Sequence, residues 1–249
     1  MIEFKNVTKS FGDVNALNSI SFLVERGTAC GYIGPNGAGK TTTARIIAGL
    51  DHPDSGAVSV AGEAESRNDL RDIVGYVPES PKLYETLTPK ETIALAAMLR
   101  RVRTSDALAR LEIFAEILDF HKFLLKPLQT LSKGTKQKVV ISLAIVFRPS
   151  VLVLDEPTDG LDVQAVVSLK QIIDSFTRHG GTVFYSSHLL DIVEAVCSKV
   201  YFINSGKLAG EYSKADFVDK RGYLESALIE SIGTSNGQQL IDAFFENAL

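Results

Sequence analysis

The spacing of apolar residues changes period several times along the chain, and each change marks an element. Residues 2–7 and 20–24 alternate or run apolar around the turn-like 10–13, which predicts strands that pair. Residues 29–33, A-C-G-Y-I, form a short apolar run that reads as a buried strand, whereas 41–50 carries its apolar residues at helical spacing. Two more strands are predicted over 56–60 and 73–77. Between 88 and 125 the period becomes helical. Thr88-Pro89-Lys90-Glu91 supplies an N-cap, a proline at the first helical position and a glutamate placed to close a capping box. Ile93, Leu95, Ala96, Leu99 and Val102 continue that helix, and 107–118 reads as another, so a helical insertion is expected. After Pro127 come a polar turn, a helix-like 136–147, and β-rich runs at 151–154, 182–186 and 200–203 separated by helical segments. Strands alternating with helices predict an α/β fold with a mainly parallel sheet. Asn204-Ser205-Gly206 reads as a hairpin turn leading into 207–212.

The junction between the 29–33 run and the following helix reads G-P-N-G-A-G-K-T over residues 34–41. Gly34, Gly37 and Gly39 let the backbone turn tightly and present N–H groups to an anion, and the helix adds its positive end. Lys40 then reaches β and γ phosphates, and the Thr41 hydroxyl is placed to ligate Mg²⁺. Farther along, the apolar run 151–154 ends in the adjacent carboxylates Asp155 and Glu156. Consecutive residues at a strand end point apart, so one can serve a metal ion and the other an attacking water. Ser186-Ser187-His188 ends another apolar strand and puts a titratable ring where a phosphate could be met. Ser132 is a candidate N-cap, with Gly134 allowing an anion close to the helix start.

Composition narrows the rest. The chain has 249 residues, 45% of them apolar, enough for one substantial domain with or without a subdomain. A net charge of −4 implies no bulk attraction to nucleic acid or anionic lipid. Cys30 and Cys197 lie far apart without metal-type spacing and read as buried thiols of a reducing compartment. No N-terminal signal pattern is apparent, and the apolar runs fall short of the ~20 residues that cross a bilayer, so action at a membrane requires another chain.

With these motifs in this order, the chain resembles an ATP-binding cassette ATPase, and more narrowly the nucleotide-binding subunits of bacterial ABC-2-type exporters. The resemblance implies a P-loop NTPase (RecA-like) core with a mainly parallel sheet, an antiparallel β subdomain and a helical subdomain. It implies an ABC ATPase domain over 1–212, its helical part at about 86–148, and a C-terminal helical extension over 213–249. Phe11 matches the aromatic that stacks on adenine. Gly34, Asn36, Gly37, Ala38, Gly39, Lys40, Thr41 and Thr42 match the Walker A segment that binds ATP. L-S-K-G-T at 131–135 matches the signature, whose Ser132 and Gly134 meet the nucleotide of a second subunit. Asp155 matches the Walker B aspartate and Glu156 the catalytic glutamate; Asp162 matches the D-loop and His188 the switch histidine. Thr41, Glu79 and Asp155 are the implied Mg²⁺ ligands, with Glu156, His188 and Lys40 as the catalytic set. The implied partners are an integral membrane permease and a second ABC ATPase subunit, with no nucleic acid. The implied location is cytoplasmic, on the inner face of the membrane through the permease.

Two residues depart from the family pattern. Lys133 stands where the signature usually has glycine, and Glu79 where the Q-loop usually has glutamine. The first is expected to project away from the phosphates or add modest attraction; the second adds negative charge near ATP and lacks an amide donor. Two other functions compete with a transport ATPase: a nucleotide-gated module with little turnover, and a soluble cassette ATPase of repair or translation. Beyond residue 212, 223–230 reads as a short acidic-apolar helix, and Leu240, Phe244 and Phe245 suggest one further amphipathic helix.

Overall fold

The computed structural model describes residues 1–64, 70, 72–219 and 222. Strands β1 (Ile2–Phe11), β2 (Val14–Val24), β4 (Ser55–Val60) and β5 (Glu63–Ala64) form an antiparallel sheet in the order β2-β1-β4-β5. β1 and β2 run longer than their alternation suggests, because register shifts between Phe4 and Ser10 break the period while pairing continues. The second sheet takes β3 (Ala29–Ile33), β6 (Val74–Val77), β7 (Val151–Asp155), β8 (Thr182–Ser187), β9 (Lys199–Asn204) and β10 (Lys207–Ser213) in the order β10-β9-β3-β8-β7-β6. Five of these strands are parallel; β10 returns antiparallel through Ser205 and Gly206, whose φ values of 48° and 73° suit the twist of a two-residue hairpin.

Both faces of the parallel sheet are covered, which is why its central strands are continuous apolar runs. Val151, Val153, Tyr32 and Phe184 face a core shared with β1, β2, β4 and helix α1 (Lys40–Ile47), where the Tyr32 and Phe184 rings lie 5.0 Å apart. Leu152, Leu154, Val183 and Tyr185 face the opposite core. That side is covered by α2 (Pro89–Leu99), α3 (Thr104–Ile117), α4 (Lys133–Ile145), α5 (Val163–Arg178) and α6 (Leu190–Val196), while α7 (Lys214–Asp219) follows β10. Cys30 and Cys197 are buried, and burial pushes both thiols up. Segments 223–230 and 240–245 lie outside the described residues.

Local chemistry sets the helix ends. The Thr88 hydroxyl accepts from the Glu91 N–H and the Glu91 carboxylate accepts from the Thr88 N–H, closing the capping box. α2 stops at Leu99 rather than reaching Val102, since Arg101 adopts a φ of 54°. α4 begins at Lys133, three residues before its apolar pattern, because Ser132 caps a polar first turn that periodicity does not register. Replacing Thr88→Ala removes one half of the reciprocal cap, and a loss of about 1 kcal/mol is expected in chemical denaturation.

Candidate functional site

The ends of the parallel strands gather the charged groups. The loop between β3 and α1 holds Gly37 at φ 77° and Gly39 at φ 110°. A Cβ on Gly39 would meet the Ala16 carbonyl at 2.5 Å, so this position requires both the left-handed backbone and the missing side chain. Gly39 offers α1 no side-chain cap, and its first turn carries no acidic residue. The helix start is therefore left to an external anion. A cavity of about 350 Å³ opens there, with Asn36, Gly37, Gly39, Lys40, Thr41 and Thr42 on its floor and Glu79, Glu156, Asp159 and His188 around it. Val14 and Ala16 of β2 form the remaining wall.

Lys40 is buried, and its Nζ donates to the carbonyl oxygens of Gly34 at 2.8 Å and Pro35 at 3.2 Å. Burial lowers its pKa, opposed by the negative charges of Glu156, Asp155 and Glu79. Glu156 follows β7 with a φ of 47°, which turns its carboxylate toward the cavity. Its Oε1 lies 3.0 Å from His188 Nδ1 and 3.8 Å from Lys40 Nζ, and its Oε2 accepts from Ser187 Oγ at 3.0 Å. Asp155 is fully buried; Oδ1 accepts from Ser186 Oγ, and Oδ2 has no hydrogen-bond partner. Burial raises the Asp155 pKa. Ser186 and the nearby Thr41 hydroxyl oppose that rise, as does Lys40, while Glu156 adds to it.

An unpaired buried carboxylate oxygen beside a threonine hydroxyl is a hard-oxygen donor set, which fits Mg²⁺ held by one or two protein oxygens plus phosphates. Among the described residues no group of three or more His, Cys, Asp or Glu is placed to hold a metal ion.

Several residues singled out from sequence stand elsewhere. Ala38 is buried in the core; its N–H donates to Pro35 and its carbonyl accepts from Gly206, so it supports the loop from behind. Gly34 contributes the carbonyl that holds Lys40. Phe11 is half exposed at the end of β1, with Lys9 Nζ 5.4 Å from its ring centre, and does not line the cavity. Ser132 and Gly134 are also outside it. Asp162 caps α5 through the Ala165 N–H and pairs with Lys138 at 2.8 Å, and both interactions hold its carboxyl below the usual range.

Ser132, Gly134 and Asp162 nonetheless belong to one structure. Helix α4 grips the loop 157–162 with a single face: Lys133 pairs with Asp159 at 2.6 Å, Gln137 donates to the Pro157 carbonyl at 3.0 Å, and Lys138 holds Asp162. Gly134 packs directly beneath the Gly160 carbonyl, leaving no space for a Cβ. Its lack of a side chain is thus required inside this chain, a reason additional to any approach of an anion. Sequence reasoning overlooked Asp159, Val14 and Ala16, whose only signal is nearness to the motifs that flank them.

The raised Asp155 value has a direction in stability. A folded-state pKa above the unfolded one contributes stability that is complete below the unfolded pKa and lost as pH rises through the folded pKa. Ionisation of this carboxylate therefore works against folding of the nucleotide-free chain. Asp155→Asn is expected to raise its Tm at neutral pH, with the gain fading toward the ordinary carboxylate range. Calorimetry across pH, with and without ATP and Mg²⁺, checks both this gain and the loss of the Mg²⁺-dependent increment.

A family model described as ABC transporter matches residues 17–159. The chain is 35% identical over 208 residues to the lantibiotic transport ATP-binding protein SrtF of Streptococcus pyogenes, covering 84% of this chain and 89% of that one. It is 37% identical over 215 residues to Nod factor export ATP-binding protein I of Burkholderia lata, covering 84% and 70%. A solved ATP-binding subunit of an ABC transporter superposes with a TM-score of 0.84 at 30% identity, covering 93% of this chain and 99% of that one. A dimeric bacterial ABC transporter cassette superposes at 0.75 with 25% identity, covering 86% and 99%. The chain therefore belongs to the ABC transporter family, with the fold of its ATP-binding cassettes.

Proposed function

We propose that this ATP-binding subunit hydrolyses ATP to ADP and phosphate in a Mg²⁺-dependent reaction between two cassettes, and that the cycle powers export through a separate membrane permease. The observation that carries the reading is the placement of Glu156, oriented by Ser187 and His188 and facing Lys40 above an uncapped helix start. Transport enters through the relatives, named for lantibiotic transport and Nod factor export, and pairing through the dimeric cassette. Among the described residues no helix is long and apolar enough to cross a membrane. In this reading a separate permease holds the subunit at the inner membrane face.

Each side chain then has a role. The N–H groups of Asn36, Gly37, Gly39, Lys40, Thr41 and Thr42 donate to phosphate oxygens, and Lys40 leaves the Gly34 and Pro35 carbonyls for the β and γ phosphates. Thr41, Asp155 and Glu79 would hold Mg²⁺, which when bound neutralises developing phosphate charge. Glu156 takes a proton from, or orients, the attacking water, while His188 fixes the carboxylate and reaches toward the γ phosphate. Phe11 offers its exposed ring to adenine. Ser132 and the Gly134 backbone address the nucleotide of the partner cassette, and Asp162 keeps the intervening loop in place. These roles belong to a domain over 1–212, with the helices near 86–148 and the Glu79 loop receiving the permease.

Two measurements test the assignment. Glu156→Gln is expected to lower steady-state phosphate release by about 10²–10⁴-fold while nucleotide binding persists; unchanged release assigns the water to another group. Lys133 points to its own chain's Asp159, an exposed pair worth about 0.2–1 kcal/mol. Lys133→Gly is therefore expected to change turnover by less than about fivefold. A gain well beyond that means the lysine obstructs the partner's nucleotide.

A further inference from the structure

Residues 185–188, the end of β8 and the residue after it, all carry polar groups beside the end of β7, with Leu154 paired to Tyr185 and Asp155 to Ser186. Three of the four are answered. Ser186 Oγ donates to Asp155 Oδ1, Ser187 Oγ donates to Glu156 Oε2, and His188 Nδ1 meets Glu156 Oε1. Tyr185 is the exception: it is fully buried, and its hydroxyl has no hydrogen-bond partner among the described residues. Its ring shares the core on the helical side with Leu154, Leu190 and Val193, where phenylalanine would cost less, because a buried unpaired hydroxyl forfeits its bonds to water. A tyrosine at this place calls for a reason.

The loop that follows β7 offers one. After Asp155, Glu156 and Pro157 the next residue is Thr158, which is buried like Tyr185. Burial pushes the Tyr185 phenol up, and the Thr158 hydroxyl opposes that rise from close by. This stretch of backbone is under strain, since Glu156 holds a φ of 47° in the left-handed region. Several contacts keep it there. The Glu156 N–H donates to the Ser186 carbonyl, the Asp159 N–H donates to the Glu156 carbonyl, and Gln137 of α4 holds the Pro157 carbonyl. Glu156 and Asp159 both line the phosphate cavity, so whatever fills it bears on Pro157 and Thr158 between them.

We propose that Tyr185 is a positioning residue for Glu156: with ATP and Mg²⁺ in the cavity its hydroxyl donates to Thr158 Oγ1 and fixes the left-handed turn that aims the carboxylate at the attacking water. The proposal rests on Glu156 as the group that handles that water. Tyr185 itself touches neither nucleotide nor water. Loss of its hydroxyl therefore slows the chemical step and leaves ATP binding alone.

Tyr185→Phe keeps the ring and removes only the hydroxyl. Steady-state phosphate release is expected to fall about 2–10-fold in kcat with KM for ATP unchanged. Without nucleotide the Tm is expected to stay or rise, since the hydroxyl removed is unpaired there. Thr158→Val is expected to lower kcat alike, the double variant no further than either single one, and Thr158→Ser to recover most of the loss. In the Glu156→Gln background, Tyr185→Phe is expected to leave the residual rate as it is, because it acts through that carboxylate. Full kcat in Tyr185→Phe beside slow release in Glu156→Gln overturns the proposal alone. Losses that multiply in the double variant, or a further fall in the Glu156→Gln background, overturn it as well. So does a fall in turnover that tracks a lowered Tm without nucleotide, which makes the hydroxyl merely structural. Undiminished release in Glu156→Gln overturns the catalytic reading and the proposal with it.

Discussion

The architecture depends on a carboxylate buried with one oxygen unanswered. Asp155 is at the end of a strand with sheet neighbours on both sides, its Oδ2 lacks a hydrogen bond, and a second carboxylate follows it in sequence. Taking such a charge out of water is expensive, and only partners in fixed positions make it tolerable. Lys40, Thr41, Ser186 and Ser187 supply them from two neighbouring elements, which is why the loop after β3, the end of β7 and the end of β8 must meet at one place. What remains unbalanced is negative charge at Asp155 and unsatisfied N–H groups at the start of α1. Those are the complements of a cation and of a phosphate chain.

A second constraint joins this centre to the rest of the molecule. The loop that leaves Glu156 is held by α4 at Pro157, Asp159, Gly160 and Asp162, while Asp159 itself lines the phosphate cavity. The start of α4 and the wall of the cavity are thus one mechanical unit. Lys133 is part of it. A lysine at a helix N-terminus is unfavourable against the helix dipole, and Asp159 offsets that cost, so the residue that departs from the family pattern is absorbed by its own chain.

Features encoded over a few residues were legible without coordinates. The capping box at Thr88 and Glu91, the Ser132 cap and the hairpin at 205–206 each rest on interactions within four positions. The alternation of strands and helices was enough for a mainly parallel sheet. Less legible was whatever depends on remote segments meeting. The bulged pairing of β1 and β2 hid their full length, and Val14 and Ala16 are walls of the cavity only because β2 crosses beside the loop. Ala38 matches a binding motif by position, yet faces the core once the β9–β10 hairpin is behind it. Asp162 is held by a cap and a lysine 24 residues away, a pairing that spacing could not disclose.

In the proposed function the cavity on one chain is half of a site, and Ser132 with the start of α4 would serve a neighbour's nucleotide. Sedimentation of the Glu156→Gln chain at saturating ATP and Mg²⁺ tests this most directly, since slow turnover preserves the ATP-bound state. One copy is expected without nucleotide and two with it, the second lost when Ser132→Arg blocks the start of α4. A single copy at saturating ATP, with binding confirmed, would contradict it.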